Sequence, residues 1–357
     1  MLDRIIGLPL CRLLGRRPAP QNGSVDPAAI RRVLVIRPGG IGDMVLVLPL
    51  INALGRLAPQ ATITLVAEAR NAAIAQPQVD NVRLYDRSPA SLWAHLRATP
   101  YDVVIDTEQF HYLSAVATHL ARSPVKIGFD TFGRGRLYTH PAHYDVNAYE
   151  AQNFLGLLKP LSGELTFEED VPFMRLPEAA RARAEQNTQR FGTRKPVGIC
   201  MGASVRRKHW DRAKFESVAR RLVDDGHPVV ILGGREDREA GRTLAARIGD
   251  GVANYCGTLD LAASSAMIER CCAFLSCDSA LMHIAYALGV PTLSLYGPGS
   301  ARKWAPRGAR HRVISKDFAC SPCMTFGRIA RCDHAFACMR TIEPDDVVAQ
   351  LKKVIQT

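Results

Sequence analysis

The sequence predicts an α/β protein made of two successive parallel-sheet units. Three observations carry this. Short β-branched runs alternate with helical stretches, the alternation pauses once between Val171 and Lys195 before restarting, and 357 residues exceed one core of ~100–200 residues. Each half is long enough to bury a core of its own.

The first twenty residues, MLDRIIGLPLCRLLGRRPAP, mix seven Leu and Ile with Arg4, Arg12, Arg16 and Arg17. The arginines come mostly after the apolar run, which is the reverse of a secretory signal. Two readings stand for this stretch: a peripheral anchor on an anionic membrane surface, or a helix packed on the protein's own body. A Pro, Gly and Ser-containing lead follows from Pro18 to Pro27, so residues 1–29 are set apart.

Strands are then expected at Val33, Thr62, Val82, Val103 and Val125, forming a first domain over 30–173. Pro172 and Pro177 and a polar, Arg-rich helix mark the pause. Strands resume near Val197, Val229, Val252, Ala273 and Thr292, giving a second domain over 174–342. The final helix, 343–357, begins acidic and ends basic, which complements its dipole.

The chain carries 46 Lys and Arg against 34 Asp and Glu, a formal charge of +12 that attracts anions. The basic residues are scattered, aromatics make up 7%, and no nucleic-acid-binding signature occurs, so nucleic acid is excluded as a partner. No run approaches the ~18 apolar residues of a membrane span. Ten cysteines in a large chain without an export signal point to a reducing cytoplasm rather than a disulfide framework.

Chemistry concentrates where strands run into helices. After the first strand, RPGGIGD puts Gly39, Gly40 and Gly42 at a turn with Asp43 at the helix start. The spacing is not GxGxxG, and Asp43 would set negative charge where a pyrophosphate belongs, which argues against a nicotinamide cofactor. Asp43 suits a general base for a hydroxyl, although on local sequence the simpler reading is an N-cap.

In the second half, MGASVRRKHW places Gly202, Ala203 and Ser204 before Arg206, Arg207, Lys208 and His209. Small residues free backbone amides there, and a lysine can meet charge building on a leaving group. The run AFLSC leads into Asp278, Ser279, Ala280 and, one turn on, His283, a helix start suited to phosphate. Glu236, in LGGREDRE, either accepts ribose hydroxyls or caps its helix. No D-x-D and no GxxxxGK[ST] occurs, which leaves a diphosphate site that works without a metal.

These segments, VLVIRPGGIGDMVLVLPLINAL, MGASVRRKHW, LGGREDRE and CDSALMHIAYALGVPTLSLYGPGSARKWAP, resemble glycosyltransferase family 9, the ADP-heptose heptosyltransferases of lipopolysaccharide core assembly. The resemblance spans roughly residues 32–306. It implies a GT-B fold of two facing Rossmann-like domains with a central cleft, and inverting, metal-independent transfer of heptose from ADP-L-glycero-D-manno-heptose. It casts Asp43 as general base and Lys208 as the diphosphate-stabilising cation. Glu236 resembles the ribose-contacting acid, and Asp278, Ser279, Ala280 and His283 match the donor phosphate and sugar segment, with Gly202, Ala203, Ser204 and Leu259 completing the donor set. Ala280 departs from the glycine usual at its position. Arg37, Gly40, Arg134 and Arg136, the last two in the Gly-rich stretch GFDTFGRGRLYTH, are assigned to an anionic glycolipid acceptor. The site of action implied is the cytoplasm, at the inner face of the inner membrane. Within the resemblance, another donor sugar or a protein acceptor is the alternative. A protein that binds a sugar nucleotide or a membrane surface without turnover is the rival from another class.

Cys320 and Cys323 form a CxxC, and Cys332 and Cys338 follow within fifteen residues. The pattern fits a tetrahedral structural metal site, zinc by ligand type, or four free thiols. The resemblance adds iron, since a subset of the family that heptosylates proteins binds iron at such a cluster. No open coordination position is implied, and no cofactor is expected for transfer itself.

Overall fold

The computed structural model describes residues 3–15, 25–326 and 328–357. Arg16, Arg17 and most of the Pro- and Gly-containing lead lie outside the described residues. The chain divides into two compact units, Met1–Phe167 and Glu168–Thr357.

The first unit holds six parallel strands: β1 Arg32–Ile36, β2 Thr62–Ala67, β3 Asn81–Leu84, β4 Val103–Asp106, β5 Val125–Phe129 and β6 His140–Ala142. Their order across the sheet is β3-β2-β1-β4-β5-β6. The second unit repeats the plan with β7 Val197–Cys200, β8 Val229–Ile231, β9 Val252–Asn254, β10 Ala273–Cys277, β11 Thr292–Tyr296 and β12 His311–Ser315, ordered β12-β11-β10-β7-β8-β9. Renumbered within each unit, both read 3-2-1-4-5-6, the doubly wound Rossmann order. The central strands β4, β7, β10 and β11 are buried along their whole length. Helices covering both sheet faces account for those continuous apolar runs.

In these two six-stranded sheets, ten of the twelve strands start within a residue of where the sequence predicts. The two that were not expected, β6 and β12, are edge strands. β6 is the short HPA with Pro141, which a ladder tolerates at an edge, and β12 is half-exposed, so its apolar signal is weak.

The boundary falls at 167/168 rather than 173/174 because the extended stretch that follows docks on the second unit. There the Phe173 and Met174 amides donate to the Ala287 carbonyl, at 2.9 and 3.1 Å. The terminal segments are not separate. The turn Asp3–Gly7 and helix Leu8–Leu14 pack on the helix Tyr112–Leu120 in the first unit. The helix Pro344–Ile355 packs on the helix Arg212–Asp224, burying Val347, Leu351 and Val354 in the second unit's core. Among the described residues, no helix is long and apolar enough to cross a membrane.

Candidate active site

In a doubly wound sheet the ligand crevice opens where successive crossovers depart in opposite directions. In the first unit that point lies between β1 and β4. β1 delivers Arg37, then Gly39 at φ +108°, a conformation that costs an L-residue heavily, and Gly40 as the N-cap of helix Ile41–Leu57. Asp43 therefore occupies the first helical turn and is not the cap, contrary to the simpler local reading. Its carboxylate folds back so closely that a Cβ on Gly40 would meet Asp43 Oδ2 at 2.5 Å.

Arg37 is buried and holds this carboxylate from below, its Nη2 3.4 Å from Asp43 Oδ1 and 3.9 Å from Glu108 Oε2. Its Nη1 donates to the Thr107 carbonyl at 2.8 Å. Burial alone would lower the Arg37 pKa, but Asp43 and Glu108 outweigh it and the pKa is raised. The Asp43 side chain stays 29% exposed, so one side is held by a fixed cation while the other meets solvent. Glu108, on the turn after β4, accepts the Gln109 amide at 2.9 Å and is fully buried.

Two of the four residues assigned to the acceptor, Arg37 and Arg134, are enclosed rather than exposed. Arg37 is a support for Asp43, not a surface group. Arg134 is 0% exposed; it pairs with Asp106 at 2.7 Å and donates to the Glu108 carbonyl at 2.6 Å. Tyr138, which also donates to Asp106 at 2.7 Å, is buried with it. The stretch looks like a basic loop in the sequence, yet its 3-10 turn Arg134–Leu137 buries Arg134, Gly135 and Leu137 and leaves only Arg136 exposed. Arg136 is exposed, and Gly40 stays beside Asp43.

The second unit's switch point lies between β7 and β10. Gly202, Ala203 and Ser204 follow β7, and the 3-10 turn Arg206–Lys208 brings the Lys208 amine 2.7 Å from Asp278 Oδ2 at the end of β10. Both side chains are almost wholly enclosed. Ser279 N-caps the helix Ala280–Ala287, accepting the Met282 amide at 3.3 Å, and exchanges a 2.7 Å hydrogen bond with Ser276. Its hydroxyl is thus turned to its own helix, while the amides of the first turn stay available. Ala280 is half-buried in that first turn. His283 is buried with its ring edge-on to Trp304 at 6.4 Å.

Glu236 is exposed on the 3-10 turn after β8, and Leu259 is half-buried on the loop after β9. The residues assigned to the donor thus lie on four loops at the carboxyl ends of β7, β8, β9 and β10. Sequence reasoning missed Asp237, the buried neighbour of Glu236. Its carboxylate accepts the Gly234 amide at 3.1 Å and packs where a Cβ on Gly202 or Gly233 would have to sit. Burial raises its pKa, the nearby Glu236 adding to the effect. The signal was present, since three glycines flank the acid on two loops, but it takes both loops in space to see it.

The four clustered cysteines are all free thiols. Burial and mutual proximity raise the Cys323 and Cys338 pKa values, so the sulfurs are neighbours. Among the described residues, however, no group of three or more Cys, His, Asp or Glu side chains is arranged to hold a metal, so the four-thiolate site expected from the spacing finds no support there. The stretch instead leans on the loop after β11: the Cys323 and Met324 amides donate to the Pro298 carbonyl at 3.0 and 2.9 Å.

Two Rossmann-ordered units, one with a supported carboxylate at its switch point and one with a buried lysine at a helix start, define a nucleotide-sugar transferase of the GT-B class. The chain belongs to glycosyltransferase family 9 (heptosyltransferase), whose model matches residues 90–333. It is 28% identical over 306 residues to lipopolysaccharide heptosyltransferase 2 of Escherichia coli K12, covering 79% of this chain and 87% of that protein. Its fold is similar to a family 9 glycosyltransferase from Veillonella parvula, with a TM-score of 0.80 at 20% identity over 93% of this chain and 99% of that one. It is also similar to the E. coli ADP-heptose LPS heptosyltransferase II structure, with a TM-score of 0.72 at 24% identity over 91% and 98%.

Proposed function

We propose that this glycosyltransferase moves heptose from ADP-L-glycero-D-manno-heptose to an anionic lipopolysaccharide inner-core acceptor, inverting the anomeric centre without a metal. The observation that supports it most is the Arg37-held carboxylate of Asp43 together with the enclosed Lys208 at the second unit's switch point. Family membership and the lipopolysaccharide heptosyltransferases among its relatives support the donor and the acceptor class.

Asp43 takes the proton of the acceptor hydroxyl as that oxygen attacks the anomeric carbon. The carbon–oxygen bond to the β-phosphate breaks, and ADP leaves with the electron pair. Lys208 and the first amides of the helix Ala280–Ala287 meet the charge that develops on the diphosphate. Asp278 holds the lysine in place beforehand, so little reorganisation is needed when that charge appears. Glu236 accepts the ribose hydroxyls, and Gly202, Ala203, Ser204, Leu259, Ser279 and His283 shape the rest of the donor pocket. Gly40 and Arg136 lie on the acceptor side. On this reading the enzyme works at the cytoplasmic face of the inner membrane.

Mass spectrometry of purified protein with truncated lipopolysaccharide and ADP-heptose, UDP-sugars or GDP-sugars tests the reading. A heptose mass increment with the ADP donor alone is expected. Equal transfer from a UDP- or GDP-sugar would contradict the donor assignment.

A further inference from the structure

Residues 3–14 present two unlike faces. The inner face buries Gly7 and Cys11 and rests Leu10 and Leu14 against Ala115, Val116, Leu137 and Tyr138. Asp3, the segment's one carboxylate, is turned inward, accepting the Leu113 amide at 2.8 Å and lying 3.6 Å from the His111 ring. The outer face carries Ile5 at 60% and Leu13 at 79% exposure, with Ile6, Pro9, Arg4 and Arg12 also exposed. Ile5, Pro9 and Leu13 recur every fourth residue and so share one side.

This face continues onto the neighbouring loop. Cys11 Sγ lies 4.0 Å from the Gly133 carbonyl, and the Arg136 stem packs directly on Gly15. That loop exposes Phe132 by 54%, with a left-handed backbone at φ +53°, and exposes Arg136. Its acid, Asp130, lies against Gly135 and is exposed. The surface is therefore apolar side chains interleaved with the guanidinium groups of Arg4, Arg12 and Arg136, which outnumber this one exposed carboxylate.

We propose that residues 3–14, with Phe132 and Arg136, dock on an anionic phospholipid membrane surface. An apolar stripe flanked by cations on a short amphipathic segment is what the lipid interface takes up, and an aromatic ring at the rim suits the headgroup layer. Charge selects this occupant over a second copy of the chain. A two-fold contact would press the same patch on itself and bring Arg4, Arg12 and Arg136 against their own copies. The inference deepens the transferase reading, on which the acceptor is a glycolipid of that membrane.

Co-sedimentation of the full chain with acceptor-free vesicles of phosphatidylcholine, with or without phosphatidylglycerol, tests it. Binding to the phosphatidylglycerol vesicles that weakens with salt is expected. Ile5→Glu/Leu13→Glu lowers the partition constant at least about tenfold, since each side chain removes apolar burial worth that much. Arg4→Ala/Arg12→Ala removes most of the salt dependence. All of these side chains project into solvent, so ADP binding by calorimetry stays as in the parent and reports intact folding. Parent protein that ignores phosphatidylglycerol, or an Ile5→Glu/Leu13→Glu variant that binds vesicles like the parent, overturns the proposal. A dimeric parent that this variant renders monomeric, with vesicle binding unchanged, overturns it in favour of self-association. Parent protein that binds no vesicles while transferring heptose to a soluble truncated acceptor sinks the docking surface alone. Vesicle binding without heptose transfer sinks the transferase reading alone.

Discussion

Single residues divide here into those that meet substrate and those that hold them. Lys208 belongs to the first group on the proposed mechanism, and its partner Asp278 is nearly buried. Lys208→Met removes the cation and leaves that carboxylate unpaired, so ADP binding by calorimetry should weaken and kcat should fall by about 10²–10³, the range for losing one preorganised charge donor. Lys208→Arg should recover part of the binding. Arg134 belongs to the second group. Arg134→Met strands Asp106 in the core and should cost about 3–5 kcal/mol of stability in urea denaturation. At a permissive temperature, KM for the acceptor per folded molecule should hold, an outcome that an acceptor-contacting arginine could not give.

At the scale of elements, what the sequence reveals is tied to what lies close along the chain. The strand-to-helix turns at 36–43, 200–208 and 277–283 are local events, a buried apolar strand breaking on small or polar residues before a helix, and each is where it was expected. The edge strands β6 and β12 escaped because one contains Pro141 and the other is half-exposed, so neither shows an apolar run. Glu108 and Asp237 escaped for a different reason. Their roles depend on partners 71 and 35 residues away, Arg37 and Gly202, and no periodicity encodes such a pairing. A Gly-rich basic stretch reads as solvated, whereas its 3-10 turn buries Arg134 and Leu137 and leaves Arg136 exposed. The turn glycines give a direct test. Gly39→Ala forces an L-residue to φ +108° and should cost about 1–2 kcal/mol, lowering kcat through displacement of Arg37 and Asp43 while ADP affinity holds. Gly202→Ala drives a methyl into the Asp237 carboxylate and should do the reverse, weakening ADP binding.

For the whole molecule, the repeated 3-2-1-4-5-6 sheet explains how one chain can serve two substrates. Each unit has its own switch point, one carrying a carboxylate and the other a buried ammonium. Ligands that bind only the second unit should stabilise that unit first, so saturating ADP should raise its melting transition more than that of the first, read by calorimetry or hydrogen exchange. Acid should act on the same unit. His311 is enclosed beside Tyr286 and Thr292, and burial holds its pKa down at about 4. Because the folded ring binds its proton more weakly than the unfolded one, its contribution is fully present above pH ~6.5 and is lost as pH falls toward about 4. The loss amounts to roughly 3 kcal/mol. Urea midpoints of the parent should drop over that window more steeply than those of His311→Gln.

On the proposed mechanism Asp43, held by Arg37, is the base that deprotonates the acceptor. Single-turnover transfer from ADP-heptose to truncated lipopolysaccharide by Asp43→Asn measures it most directly, because the amide keeps the size and loses the proton acceptor. The transfer rate should fall by about 10²–10⁴ with ADP affinity unchanged. Transfer by Asp43→Asn at the parent rate would mean that Asp43 is not the base.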